Sequence, residues 1–577
     1  MATSRHHEGH RERLLLPRLL ALAAVGLLAL PLPQDSGAAS RQERAAAFVP
    51  SEPPNQPMGQ GRGIHPGRVV WTHEPAATRW DGHTDTWWTD TATDPALVGA
   101  MLSESLRALT GEAAYARAWA ALFRHFNRTH GKGEAGYRAG ERIAVKLNLN
   151  QVRSYSPGNA SFTAPQLVLA LLRQLVLEAG VPDSLIAFYD VTRLVPDAVL
   201  APCRAEFPHV RFVDWAGAPG REAYRVDRSA PVRWSQELVG EIGGGNPAYL
   251  PTVVTQAEYL VNVAHLRGHD VAGISATAKN HFGSICASRG GAPYQLAPKA
   301  AGLHPYVAVH DFAPGHPEWV FTGRPPATYN PLVDLMGHRD LGEKTLLYVV
   351  DGLYATQTED LPVGPEQRWQ SEPFGGRWTA SLFVSQDGVA IDSVCLDFLR
   401  SEPTQTWVYG SVDSYLHEAA LAGRPPSAVT YDPEGAGTAL GSLGVHEHWN
   451  NPVDKQYSGN LGRPEGIELV APGRTTAIAQ GMAPAPATLS LASYPNPGNA
   501  AVLILCSLAQ GGPARLELFD AAGQHLVSLL DAELPAGTRK VVWDGTDAAG
   551  RWVGSGLYLV QLRAGDRRIT RRIALVR

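Results

Sequence analysis

VNVAHLRGHDVAGISATAKNHFGSI, residues 261–285, begins as a short apolar run and ends in a crowd of polar groups. His265, Arg267, His269, Asp270, Lys279, Asn280 and His281 all fall within it. Such a density of imidazoles, cations and amides is far from average composition, and surface loops are not usually fed by so apolar a strand. Gly268, Gly273 and Gly283 allow the backbone to bend closely around a neighbour. The stretch therefore predicts a strand at 259–263 that delivers a site-bearing loop.

Working outward, strand-like and helix-like segments alternate. Residues 142–147, 185–189, 210–213, 345–350 and 381–384 read as strands, and 391–399 as a helix. Thr163 is placed to cap a helix with Pro165 in its first turn, and Leu167, Leu171, Leu172, Val176 and Leu177 recur at helical spacing. This alternation predicts an α/β body with a mainly parallel sheet and helices on both faces. In such sheets ligands collect at the carboxyl ends of the strands. Asn148, Asn150, Asp190, His265 and Asp351 follow strands here. The last ninety or so residues differ. Short alternating segments at 501–507, 514–519, 540–543, 557–562 and 568–576, punctuated by DAAG and DGTDAAG turns, predict a small all-β sandwich. Arg567, Arg568, Arg571 and Arg572 suit an exposed final strand, or one protecting a sheet edge.

The chemistry of the central stretch has two readings. His265, His269, Asp270, Lys279 and Asn280 form a candidate catalytic set, with His265 or His269 as ligand or general base because imidazole titrates near neutral pH. His265, His269 and His281, with Asp270, are also candidate ligands for a divalent metal, since imidazole and carboxylate suit zinc, manganese or iron. Arg267 and Lys279 point instead to an anionic substrate group, with Lys146, Asn148 and Asn150 lining the same cleft. GVHEHWNNP, 444–452, supplies a second cluster. In an extended segment His446 and His448 point the same way and form a possible metal pair, and Trp449 could stack on a ligand. His304, His310 and Asp311 form a third group, and Asp351 with Asp392 a conceivable acid/base pair, unless Asp392 serves a helix start. Against all of these stands the alternative of a scaffold whose polar side chains satisfy buried groups. No G-x-S-x-G elbow, H-E-x-x-H helix or G-K-[ST] loop is present, so the common hydrolase, zincin and nucleotide-loop readings lack motif support.

Composition and termini suggest a location. The first residues carry Arg5, Arg11, Arg13 and Arg18, then an apolar run to Leu32, then Gly37, Ala38 and Ala39, the order of a secretory signal peptide. We expect a signal peptide at 1–39, a linker at 40–60, the α/β domain at 61–474, a Pro/Ala-rich linker at 475–488 and the β module at 489–577. No later stretch is apolar enough to be a transmembrane helix. The net charge of -5, with no basic stripe among aromatics, gives no reason to expect nucleic acid. Cys203, Cys286, Cys395 and Cys506 are scattered without a C-x-x-C, so a cysteine-ligated iron–sulfur cluster is not expected.

The body resembles the family called domain of unknown function 362. The resemblance rests on VKLNLN (145–150), YLVNVAHLRGHDVAGISATAKNHFGSI (259–285), VVDGLYA (349–355) and VSQDGVAIDSVCLDFL (384–399). GIHPGRVVW (63–71) and GVHEHWNNP resemble the ends of a long, exported branch of it. Some relatives carry ferredoxin-type cysteine runs, and this chain has none. The C-terminal segments SYPNPGNAA (493–501), LELFDAAGQHL (516–526), VVWDGTDAAGRWVGSGLYLVQL (541–562) and RRITRRIALVR resemble the FlgD-like immunoglobulin-like module and type IX secretion sorting domains. That resemblance implies an immunoglobulin-like fold, partnership with secretion machinery or the cell surface, and a secreted, surface or periplasmic protein. Two functions follow: an exported enzyme acting on an anionic substrate, metal-assisted or not, or a non-catalytic ligand-binding protein displayed through its C-terminal domain. Whether the polar groups converge in an open pocket discriminates them.

Overall fold

The computed structural model describes residues 56–238, 248–286, 303–313, 320–472, 490–499, 501–508, 510–534 and 537–575. The expected signal peptide, the second linker and most of the first linker lie outside these residues. The chain divides into two compact units, Met1–Arg474 and Thr475–Arg577. Among the described residues no helix is long and apolar enough to cross a membrane.

In the first unit, β1 (Arg68–His73) precedes α1 (Pro95–Thr110) and α2 (Tyr115–Thr129). Asp94 accepts the N–H groups of Ala96 and Leu97, Pro95 takes the first position, and Gly111 ends α1 in the left-handed region at φ 75°. Then come β2 (Ile143–Lys146), α3 (Pro165–Arg173), β3 (Ile186–Tyr189), α4 (Asp197–Glu206), β4 (Arg211–Asp214) and β5 (Glu222–Ala223). After them follow β6 (Tyr259–His269), α5 (Thr277–Asn280), β7 (Thr345–Thr356), β8 (Ser381–Ser385), α6 (Gly388–Ser401) and β9 (Glu468–Val470).

These strands lie in the order β9-β1-β8-β7-β6-β2-β3-β4-β5, with the short strand Gly273–Ile274 folded back on β6. The sheet is mixed. β7, β6, β2, β3, β4 and β5 run parallel, but β8 is antiparallel to both its neighbours. The chain between β7 and β8 holds only the three-residue helical turn Pro365–Gln367 and no longer helix. Helices cover both faces, and alternate strand residues enter different cores. Val145, Phe188 and Val261 pack with Leu102, Phe123 and Leu171 on the side of α1, α2 and α3. Ala144, Tyr189, Leu260 and Val350 pack with Ile391, Val394 and Phe398 of α6 on the other. The helix expected from Thr163 starts at Pro165, but Thr163 does not cap it. Its hydroxyl pairs with the Asn148 backbone, and the Asp351 carboxylate takes the Ala164 N–H instead. Leu177, expected on the buried face, is 66% exposed.

The second unit is one seven-stranded sheet. Its strands are β10 (Ser490–Asn499), β11 (Ala501–Leu508), β12 (Gly512–Phe519), β13 (His525–Leu534), β14 (Gly537–Trp543), β15 (Gly556–Ala564) and β16 (Arg567–Leu575). They lie in the order β13-β12-β15-β16-β10-β11-β14, antiparallel except for the pair β10–β16. Leu516, Leu518, Val560, Leu562, Ile573 and Trp543 form its core. The final basic strand is internal to this order, although it meets β10 only through Gly498 and Leu575, so most of it behaves as an edge.

Candidate functional site

β6 does not stop where its apolar run stops. It continues for 11 residues to His269, buried along its whole length. Pairing with β7 carries it through the polar residues: β2 pairs only as far as Lys146 opposite Asn262, while Asp351 and Thr356 of β7 sit opposite His265 and Arg267, and Gly273 folds back opposite His269. Gly268 is needed inside this strand, because a Cβ there would lie 2.1 Å from the Gln357 carbonyl oxygen. His265 and Arg267, two apart, reach the same neighbour. His265 Nε2 is 3.0 Å from Ser161 Oγ, and Arg267 Nη1 is 3.1 Å from the same hydroxyl. Arg267 Nη2 donates to Asn148 Oδ1.

The Arg267 guanidinium is fully buried, yet its hydrogen bonds all go to neutral oxygens of Ser161 and Asn148, and its Nε has none. Arg193 repeats the pattern. It is buried and donates to the side chain and carbonyl of Asn150 and to the Thr192 carbonyl. Among the described residues neither has a carboxylate within ion-pair distance. Burial lowers both to about 10, with Glu359 and Asp360 opposing for Arg267 and Arg153 adding to the shift of Arg193. Both remain cations at neutral pH. His265, beside them, is held well below its ordinary range by burial and by Arg267.

Lys146 takes part in a separate, closed network. Its Nζ is 3.0 Å from Asp190 Oδ2 and 3.3 Å from Asn280 Oδ1. Asn280 donates to Asn262 Oδ1 at 2.8 Å, and Asn262 Nδ2 lies 3.2 Å from His281 Nε2. Burial depresses Lys146, and burial together with Lys146 depresses His281 to about 3. Gly283 packs on this ion pair, since a Cβ would lie 2.5 Å from Lys146 Nζ.

At the end of β6 a third group forms. His269 Nδ1 is 2.9 Å from Glu359 Oε1 and 3.3 Å from Asp270 Oδ1. Burial disfavours charge on His269, but Glu359 and Asp270 outweigh it and raise its pKa, while burial raises Asp270. Lys279 Nζ lies 3.3 Å from His304 Nε2 and 3.9 Å from the centre of the Phe282 ring. Burial drives Lys279 down to about 7, with Arg267 and Arg193 pushing the same way and Glu359 and Asp270 opposing.

The five histidines proposed as metal ligands do not converge on one site, although the His446 and His448 rings do stand side by side with centres 5.0 Å apart. His265 is on Ser161, His281 on Asn262, and His269 with Asp270 and Glu359. His446 Nδ1 is 2.8 Å from Ser393 Oγ, and His448 Nδ1 is 2.5 Å from Asp397 Oδ1. Residues 444–449 form a buried scaffold. Trp449 is 1% exposed and donates its backbone N–H to Asp397, while Glu447 accepts from Ser458 and Ile467. Trp449 therefore packs against Phe398 rather than offering a stacking face. Asp351 and Asp392 do not pair. Asp351 accepts from Ala164 and Leu353, and Asp392 caps α5 from within α6 by accepting from Thr277 and Ala278.

Sequence reading did not single out Ser161, Arg193 or Glu359. Arg193 stands just after the β3 terminus and Glu359 just after β7, positions that a search of every strand end would have reached. A cavity of about 410 Å³ lies elsewhere, at the amino end of β7, lined by Arg62, His130, Glu343, Tyr348 and Gln386.

No curated protein matches this chain. Solved structures similar to part of it include dimeric latent PorU from Porphyromonas gingivalis, at 19% identity over 17% of this chain and 10% of that one, TM-score 0.14. PorZ, a surface component of the type-IX secretion system of the same organism, is similar at 24% identity over 15% and 11%, TM-score 0.12. FlgD from Xanthomonas campestris is similar at 24% identity over 15% and 60%, TM-score 0.12. The chain thus spans about a tenth of each of the two Porphyromonas proteins. Residues 143–397, from β2 into α6 and including every strand end that carries the arginine, lysine and histidine groups, match the family model "Domain of unknown function (DUF362)".

Proposed function

We propose that this chain is an exported protein whose α/β unit binds an anionic ligand at the ends of β2, β3, β6 and β7 and acts on it as an enzyme. The observation that carries this reading is Arg267, a wholly buried guanidinium bonded only to neutral oxygens. Removing such a charge from water costs several kcal/mol unless a counter-charge meets it. Arg193 stands in the same condition. A carboxylate or phosphate shared by the two satisfies both through charge-assisted hydrogen bonds. Lys279, at about 7, is suited to give or take a proton at neutral pH. A non-catalytic, ligand-binding protein is the second reading. The closed Lys146–Asp190–Asn280–Asn262 network favours it, as does the burial of Lys146, His265, Arg267 and His269 away from the cavity beside Arg62 and Glu343. Export rests on the N-terminal sequence pattern. Sorting to the surface, and an immunoglobulin-like fold for 489–577, rest on the FlgD-like sequence landmarks.

Calorimetric titration with inorganic phosphate, pyrophosphate and malonate tests the anion site. The protein is expected to bind at least one of them, and Arg267→Gln to weaken that binding about tenfold or more. Arg267→Lys is expected not to restore it, because an ammonium cannot reproduce the fork of the guanidinium. A folded protein that binds none of the three overturns the reading.

A further inference from the structure

We propose that His269, Asp270 and Glu359 hold a divalent cation of the manganese, iron or zinc class. This goes beyond the anion site, since its donors are different side chains. Nδ1 of His269, a carboxylate oxygen of Asp270 and one of Glu359 lie within 4.8 Å of one another. The two separations from Nδ1, 2.9 Å and 3.3 Å, match the spacing of neighbouring ligands at about 2.1 Å from a shared metal, which is roughly 3.0–3.4 Å for octahedral and tetrahedral angles. One imidazole with two carboxylates suits these metals, and three protein donors leave coordination positions open.

His310 supplies an independent observation. Its segment is tied to the same turn by the Val309 N–H, which donates to the Val271 carbonyl at 2.9 Å. The ring is buried, stacked on Tyr409 at 4.2 Å, and its Nδ1 lies 3.0 Å from the Asp311 carbonyl oxygen. A carbonyl only accepts, so Nδ1 carries the hydrogen and Nε2 presents a lone pair, and that buried Nε2 has no hydrogen-bond partner. This is the tautomer that metal-binding histidines adopt, with the other ring N–H on a carbonyl.

The full chain, stripped with chelator and dialysed, is titrated with Mn²⁺ and with Zn²⁺ alone, and Mn²⁺ is followed in parallel by electron paramagnetic resonance. One ion per chain is expected, with the affinity falling about tenfold to a hundredfold in Glu359→Gln and in the half-buried Asp270→Asn. Circular dichroism identifies a variant that has failed to fold, and the other variant then decides. No ion bound by the folded protein, or binding unchanged in both folded variants, overturns the proposal. Because no anion is present, that failure leaves the Arg267 reading standing.

Discussion

Lys279 has an ammonium that the fold penalises. Burial is the main cause and brings it to about 7, with Arg267 and Arg193 adding repulsion. The folded protein therefore releases this proton well before the unfolded chain does. Between about pH 7 and the ordinary lysine range the unfolded state binds more protons, so stability rises with pH across that window. Below it the penalty is present in full. Lys279→Met is accordingly expected to melt higher than the parent near pH 6, with the difference closing toward about pH 10. Thermal unfolding across that range checks it, and an equal difference at both ends would show that the ammonium is not what the substitution relieves. At this scale the sequence was readable where chemistry was concentrated in one stretch. Arg267, His269, Asp270 and Lys279 all stood within 261–285. Arg193 and Glu359 were not readable, because they enter from β3 and β7, and only strand pairing brings those ends to β6.

The elements show why local pattern set some boundaries and not others. α1 has its signals in order, with Asp94, Pro95 and Gly111 at its ends. β6 did not announce its length, since its second half is written in His, Arg and Gly rather than in apolar residues. β7 on one side and the fold-back strand Gly273–Ile274 at its end supply the pairing of that half, and tertiary pairing overrides composition. The cap of α3 differs from expectation for a related reason: Thr163 is a good cap by residue type, but Asn148 takes its hydroxyl and Asp351 comes from 187 residues away to take the Ala164 N–H. Two glycines test how firmly the elements are packed. Gly268→Ala in β6 places a Cβ 2.1 Å from a backbone oxygen that cannot swing aside, and a loss of about 2–3 kcal/mol is expected. Gly99 in α1 has nothing within 4 Å of such a Cβ, and Gly99→Ala should gain about 0.5–1 kcal/mol. Denaturant unfolding measures both. If the two substitutions have equal effects, close packing around β6 is not what fixes Gly268.

At the scale of the whole molecule, the two units carry separate cores. The buried clusters around the mixed sheet draw on residues up to Leu469, and those of the seven-stranded sheet on residues from Leu491 onward. A unit that encloses its own core can fold alone. The hydrophobic cost of ending the chain at 474 should then fall on neither core. The melting midpoint of such a chain is expected within about 2 °C of the corresponding transition in the full protein, because a shift of that size corresponds to only about 1–2 kcal/mol for a domain this large. Location should respond instead. If 489–577 acts as a sorting module, the full chain reaches the cell surface or the medium while the shortened one stays behind the outer membrane. Fractionation of cells expressing the two chains, with the melting curves measured beside it, separates the possibilities. A shortened chain that melts unchanged and is exported as before would remove the sorting role. One that unfolds would show that the C-terminal unit stabilises the α/β unit.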